Sequence, residues 1–276
     1  MQTIFKAETV SPCITRIFGV GGELMYLVEG VKKAILIDTG IGEGNLRSFV
    51  KTMTRKPITV ILTHGHLDHA MGINGFDQVY LSPADWTIFE NSKDILKRRL
   101  FLKNRSGDEP MPFELCEVES PDFIPLMEGK KFELGNISLE IYSVPGHTPG
   151  SVAVLFPEER ILLTGDSCNN FTFLFKKNEC LSVQAYERTL RQFYDKVKNR
   201  YERILLSHRS GEGAKDLIEN VIQVCDDIMK NRSDNQPYSF MERSGYIAKA
   251  VDADHRRLDG KFGNIVFSAD NIWENK

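Results

Sequence analysis

The segment from Thr59 to Leu62 reads as a short buried strand, and it runs directly into Thr63-His64-Gly65-His66-Leu67-Asp68-His69. No other stretch constrains the chain so strongly. Three histidines and one aspartate stand within six residues, in a chain of 276 with only six His. Imidazole and carboxylate are ligand types that suit Zn²⁺ or Fe²⁺. Neighbouring side chains project in different directions, so this HxHxDH run cannot place all four groups on one ion. It can supply two adjacent ions.

Two further segments match it in kind. Pro145-Gly146-His147-Thr148-Pro149-Gly150 follows the alternating strand Ile137 to Val144, and its glycines and prolines fix a tight loop able to present His147 inward. Leu163-Thr164-Gly165-Asp166-Ser167 ends the strand Ile161 to Thr164, and Leu206-Ser207-His208-Arg209 puts a His just past the buried strand Ile204 to Leu206. Leu24 to Val28 and Ala34 to Ile37 read as a hairpin that ends in Asp38-Thr39-Gly40. Leu46, Phe49, Val50 and Met53 fall at helical spacing, and Pro57 limits that helix. Pro83 to Leu100 is predicted as one helix with Trp86, Phe89 and Leu96 on its apolar side. Gly107, Pro110, Pro112, Pro121 and Pro125 then mark an irregular insertion over about 82–131, of the kind that forms a lid or mobile loop. Helices follow around Leu190 to Val197 and Leu217 to Met229, and an ordered tail covers about 232–276. The expectation is an α/β (α+β) chain with a single domain over 1–276. Its strand-rich halves each carry helices on one outer face, which gives a four-layer α/β/β/α sandwich.

Composition removes other classes. Lys+Arg of 35 against Asp+Glu of 38 leaves a formal charge of −3, so no nucleic-acid surface is expected. Five widely spaced cysteines without a CxxC pair argue against a disulfide framework or a zinc knuckle. No apolar run is long enough to span a membrane, and the N-terminal residues lack a signal-peptide pattern. A cytoplasmic protein acting on a small molecule, with a possible homo-oligomer, is the expectation.

The motifs in their order (HxHxDH, then a GHTPGS loop, then TGD, then a His after a strand) resemble the metallo-β-lactamase-fold superfamily over about residues 12 to 230. The resemblance implies that His64, His66 and His147 bind one metal and that Asp68, His69 and His208 bind a second. It also implies that Asp166 bridges the two with a water or hydroxide. Asp38 matches the family aspartate that orients ligand histidines. The cofactor implied is a pair of divalent ions, Zn first with Fe or Mn as alternatives. Two such ions about 3.5 Å apart acidify a bridging water. Asp68 is then expected to accept a hydrogen bond from that hydroxide while ligating, in a metal-dependent hydrolase of a small ester or thioester.

Departures from individual branches narrow this. Asp166 stands where the antibiotic-hydrolysing enzymes of this fold have Cys or Ser, and His66 stands where the flavodiiron branch has Glu. Asn169 occupies the position of a lactonase Tyr. The glyoxalase-II-like branch shares the motif series best, although its GHG-like turn is here Ser207-His208-Arg209. The remaining alternatives are a lactonase, a phosphodiesterase, a mononuclear iron persulfide dioxygenase and a non-catalytic metal-binding protein. Cys168, Asn169 and Arg209 are candidate substrate contacts, and His255 is expected in a solvated position.

Overall fold

A computed structural model describes residues 4–106, 113–175, 179–240 and 243–274. The first sheet opens with three antiparallel strands: β1 (Lys6–Ser11), β2 (Ile14–Phe18) and β3 (Leu24–Glu29). β3 turns back into β4 (Ala34–Ile37), the predicted hairpin, with Tyr26 opposite Ile37. Helix α1 (Leu46–Met53) buries Leu46 and Val50, and the Asn45 side chain caps it by accepting from the Ser48 amide at 2.9 Å. The helix returns the chain to β5 (Ile58–Ile61), parallel to β4, and β6 (Val79–Leu81) adds in parallel beyond it.

The predicted single helix at Pro83 to Leu100 is divided. A 3₁₀ turn at Pro83–Asp85 leads into α2 (Trp86–Ser92), and α3 (Ile95–Ser106) starts afresh. The Asp94 carboxylate accepts from the Leu96 amide at 2.8 Å, which anchors the new helix start. Of the three residues assigned to one apolar side, Phe89 is buried, whereas Trp86 is 39% and Leu96 69% exposed. Gly107, Pro110 and Pro112 lie outside the described residues. Further on, β7 (Ile124–Pro125) completes the first sheet in the order β1-β2-β3-β4-β5-β6-β7.

The second sheet is built from β8 (Lys131–Glu133), β9 (Ser138–Ser143), β10 (Val152–Phe156) and β11 (Ile161–Leu163). The chain leaves it at β12 (Thr172–Leu174), forms α4 (Val183–Val197), and returns through β13 (Arg203–Leu205) and β14 (Glu212–Gly213). Sheet order is β14-β13-β11-β10-β9-β8. Helix α5 (Leu217–Met229) packs beside α4. One apolar cluster fills the space between the sheets, with Tyr26, Ile37, Ile61, Ile141 and Leu163. A second joins α1 to the outer face of the first sheet, and a third joins α4 and α5 to the outer face of the second. These are the four layers expected. The tail forms β15 (Gln236–Phe240), β16 (Arg243–Ile247) and β17 (Ile265–Phe267), which pair with β12 in a third sheet.

Strand direction determines where function can sit. β9 and β11 are both antiparallel to β10, and β13 is parallel to β11. Their C-terminal ends therefore share one edge. The two large sheets meet at that edge, where the Val152 amide donates to the Thr63 carbonyl at 2.9 Å and the Leu24 amide to the Ser207 carbonyl at 2.8 Å. Every motif noted above is carried past a C-terminal strand end onto this edge: Asp38 after β4, His64 to His69 after β5, His147 after β9, Asp166 after β11 and His208 after β13.

Candidate metal centre

The seven side chains singled out at the edge converge. His64, His66 and His147 bring one nitrogen each to a common point, as do the donor atoms of His64, His69 and Asp166 and those of Asp68, His69 and His208. Within each set the donor atoms lie within 4.8 Å of one another. His66 Nδ1 is 2.9 Å from His147 Nε2, and His69 Nε2 is 3.3 Å from His208 Nε2. One carboxylate oxygen of Asp166 faces both groups, at 3.1 Å from His208 Nε2, 3.6 Å from His69 Nε2 and 3.9 Å from His147 Nε2. Asp68 Oδ2 lies 3.6 Å from His208 Nε2 and 3.8 Å from His69 Nε2.

The surrounding bonds decide which nitrogen is free in three of the rings, those of His69, His147 and His64. Asp38 has a left-handed backbone (φ 59°), an arrangement that Asp tolerates better than most residues. It accepts from the Thr63 amide at 2.7 Å and from the Thr63 hydroxyl, and its Oδ2 sits 2.9 Å from His69 Nδ1. His69 thus donates from Nδ1 and keeps its Nε2 lone pair for the cluster. His147 Nδ1 donates to the Phe173 carbonyl at 3.0 Å, which frees its Nε2 in the same way. The Thr63 hydroxyl proton goes to Asp38, so its oxygen can accept from His64 Nδ1 at 3.1 Å. His64 Nε2 is then a fully buried lone pair with no partner among the described residues.

Burial and the neighbouring histidines push the proton affinity of His64 well below its ordinary range, and burial with His147 beside it lowers His66 to about 3. Burial works against charge on His69 and His208 too, but Asp68, Asp38 and Asp166 raise the first and Asp166 and Asp68 the second. Asp166, which burial alone would protonate, is held well below the usual carboxylate range by His208 and His69. Buried imidazole lone pairs that point at one another, with carboxylate oxygens between the two groups, fit divalent cations: an ion satisfies the facing lone pairs and the negative charge together. These residues could hold one ion at His64, His66 and His147 and another at Asp68, His69 and His208, with Asp166 between them.

Sequence reasoning missed Asp85, the residue that locks two of these loops together. It sits in the 3₁₀ turn before α2 with no exposed surface. Its carboxylate accepts from the Gly65 amide (2.9 Å), the Gly150 amide (2.7 Å) and the Thr148 hydroxyl (2.7 Å). The glycines are needed for this approach, because a Cβ on Gly150 would lie 2.6 Å from the Asp85 carboxyl carbon.

Asn169 lines the cavity over the cluster and donates to Asp166 Oδ1 at 3.0 Å, which turns Oδ2 toward the histidines. Arg209 lines the same cavity, immediately after His208. Cys168 does not. It is fully buried in the cluster under α4 and α5, where burial pushes its thiol to about 12, so the expectation of a substrate contact there is corrected to a core thiol. His255 is solvent-exposed as expected, and it also stands at the cavity rim with its ring edge-on to Phe171 at 5.7 Å.

Two further buried carboxyls lie beside this edge. Glu23, bridged through its backbone to His208, accepts from the Ile41 amide at 3.3 Å, and Glu43 accepts from the Val20 amide at 3.1 Å. Each keeps one buried oxygen without a partner among the described residues. Burial, and then the charge of Glu43, raises Glu23 to about 8. A carboxyl raised on folding binds its proton more tightly in the folded chain. Its contribution to stability is full below about pH 4.5, the unfolded value, and is lost as pH rises through 8. Glu23→Gln removes that loss. The Tm of the variant relative to wild type is expected to rise by several degrees between pH 6 and pH 9, at on the order of 1 kcal/mol per pH unit. A Tm difference independent of pH contradicts a protonated Glu23.

Comparison with known proteins agrees with the geometry. The metallo-beta-lactamase superfamily model matches residues 18–208, and the chain belongs to that superfamily. Among curated proteins it is 26% identical over 160 residues to the acyl-coenzyme A thioesterase MBLAC2 of Homo sapiens, covering 51% of this chain and 57% of that protein. It is 35% identical over 149 residues to the probable metallo-hydrolase MJ0888 of Methanocaldococcus jannaschii (51% and 65%). It is 28% identical over 137 residues to the hydroxyacylglutathione hydrolase GloC of Haemophilus influenzae (49% and 61%). The chain therefore matches less than two thirds of the length of each of these relatives. A solved metallo-beta-lactamase from Pontibacter korlensis superposes with a TM-score of 0.60 at 17% identity, over 79% of this chain and 97% of that one, a likeness of fold alone. Among the described residues no helix is long and apolar enough to cross a membrane.

Proposed function

We propose that this chain is a metal-dependent hydrolase that cleaves a small ester or thioester at a pair of divalent ions, with zinc as the resident metal. The observation that carries the reading is Asp166 Oδ2, which faces imidazole nitrogens of both histidine groups at once. His64, His66 and His147 would hold one ion, Asp68, His69 and His208 the other, and Asp166 both. The bound ions supply an acidified water and an electrophilic pull on the carbonyl oxygen. The protein's own groups do the remaining work. Asp68 takes a hydrogen bond from the attacking water and orients it. Asp38 fixes the His69 tautomer, and Asn169 fixes the rotation of the Asp166 carboxylate. Water adds to the carbonyl carbon, the carbon–oxygen or carbon–sulfur bond breaks, and the products are a carboxylate, an alcohol or thiol, and a proton. The preference for esters and thioesters is supported by two relatives named as a thioesterase and a hydroxyacylglutathione hydrolase.

The test is a panel of a thioester, a lactone, a penicillin-type amide and an activated phosphodiester, run before and after metal removal with a chelator. Turnover of the thioester that disappears on chelation and returns with Zn²⁺ is expected. Cleavage of the phosphodiester alone, or thioester turnover indifferent to the chelator, overturns the reading.

A further inference from the structure

The cavity over the cluster encloses about 670 Å³, and besides Asp68, Asp166 and Glu179 its lining includes the cations Lys97, Arg105, Arg209 and Arg243. Arg105 comes from the last turn of α3 and Arg209 from the loop after β13. Each guanidinium lies over an aromatic ring: Arg105 is 5.2 Å from the centre of Phe101, and Arg209 is 5.0 Å from the centre of Phe171. Among the described residues neither has a carboxylate within ion-pair distance. Both arginines line the one cavity, as do the two rings that they cover and Tyr238. Tyr238, from β15, feels both guanidiniums. Arg209 is also held in a left-handed backbone (φ 60°), an arrangement that a β-carbon disfavours and that the loop imposes next to the ligand His208.

Two like charges that line one cavity favour an anion that neutralises both. Guanidinium forks match planar or tetrahedral oxyanions. We propose that Arg105 and Arg209 clamp an oxyanion group of the substrate, so that the ester or thioester cleaved below them carries a carboxylate, sulfonate or phosphonate on one arm and packs its apolar part against Phe171. This rests on the hydrolase reading for the identity of the scissile bond, but not for the binding of the anion.

The experiment separates these two layers. The metal-loaded protein is titrated calorimetrically with S-benzyl-3-mercaptopropionate, a thioether that cannot be hydrolysed, and with its neutral primary amide. The sulfonate and phosphonate analogues follow as further arms. S-benzoyl-3-mercaptopropionate and its primary amide are compared in turnover. The acid is expected to bind at least about tenfold more tightly than the amide, equivalent to about 1.4 kcal/mol. The acid-over-amide preference should fall several-fold in Arg105→Gln and in Arg209→Gln, reach about one in the double variant, and return in part in Arg105→Lys. Arg105 is exposed, so its variants are expected to fold. Equal binding of acid and amide, or a double variant that still prefers the acid, overturns the clamp. If the thioether acid binds in an arginine-dependent way and neither thioester is hydrolysed, the clamp stands and the proposed reaction falls.

Discussion

Asp166→Ala is expected to lower hydrolysis by at least ~10³-fold, corresponding to about 4 kcal/mol of lost transition-state stabilisation. The reason lies in position more than in charge alone. One oxygen of Asp166 approaches His208, His69 and His147, while Asn169 holds the other oxygen away from the cluster. Removing the carboxylate takes away the oxygen that faces both histidine groups at once. The centre then keeps five imidazoles with Asp68 as its remaining carboxylate. Metal content should fall with activity, measured on the same preparation by elemental analysis and by turnover of a thioester. The isosteric Asp166→Asn removes the charge and leaves the shape, so it should show nearly the same loss. Full activity in either variant means that Asp166 does not bridge.

Asp85→Ala is expected to be the most destabilising single change near the site. It leaves three buried donors unpaired: the Gly65 and Gly150 amides and the Thr148 hydroxyl. An orphaned buried donor costs about 1–3 kcal/mol, so a total of about 3–5 kcal/mol is expected after relaxation. That corresponds to a fall in Tm of roughly 10 °C for a chain of this size. Because the same three bonds tie the loop of His64 and His66 to the loop of His147, metal affinity should fall about 10–100-fold as well, the usual scale for groups that orient ligands. Asp85→Asn restores an acceptor for at most part of the set and should be intermediate. A Tm within about 2 °C of wild type contradicts the clamp role.

Reading the chain alone worked best where the signal is local. Strands ending in Asp38, Thr63, Asp166 and His208 were legible because each is a short apolar run followed by a turn residue. The resemblance then grouped seven candidate ligand side chains, and the structure brings those same seven together. Asp85 was not legible, since nothing near it in sequence points to Gly65 or Gly150, and its role exists only after two sheets meet. The break between α2 and α3 was written in Asp94, a helix-capping residue just before Ile95, but the apolar spacing of Trp86, Phe89 and Leu96 outweighed it. The cavity wall was least legible. Tyr238 and Phe240 reach it because β15 joins β12 through β16 and β17, and the β12–β17 pairing, Thr172 opposite Ile265, is one that no local pattern encodes.

The most direct measurement is metal content per chain on protein purified without added metal, together with oxygen uptake in the presence of a persulfide. About two divalent ions per chain, mostly zinc, and no oxygen uptake are expected of a hydrolase with Asp166 between two ions. One iron per chain with persulfide-dependent oxygen consumption contradicts it.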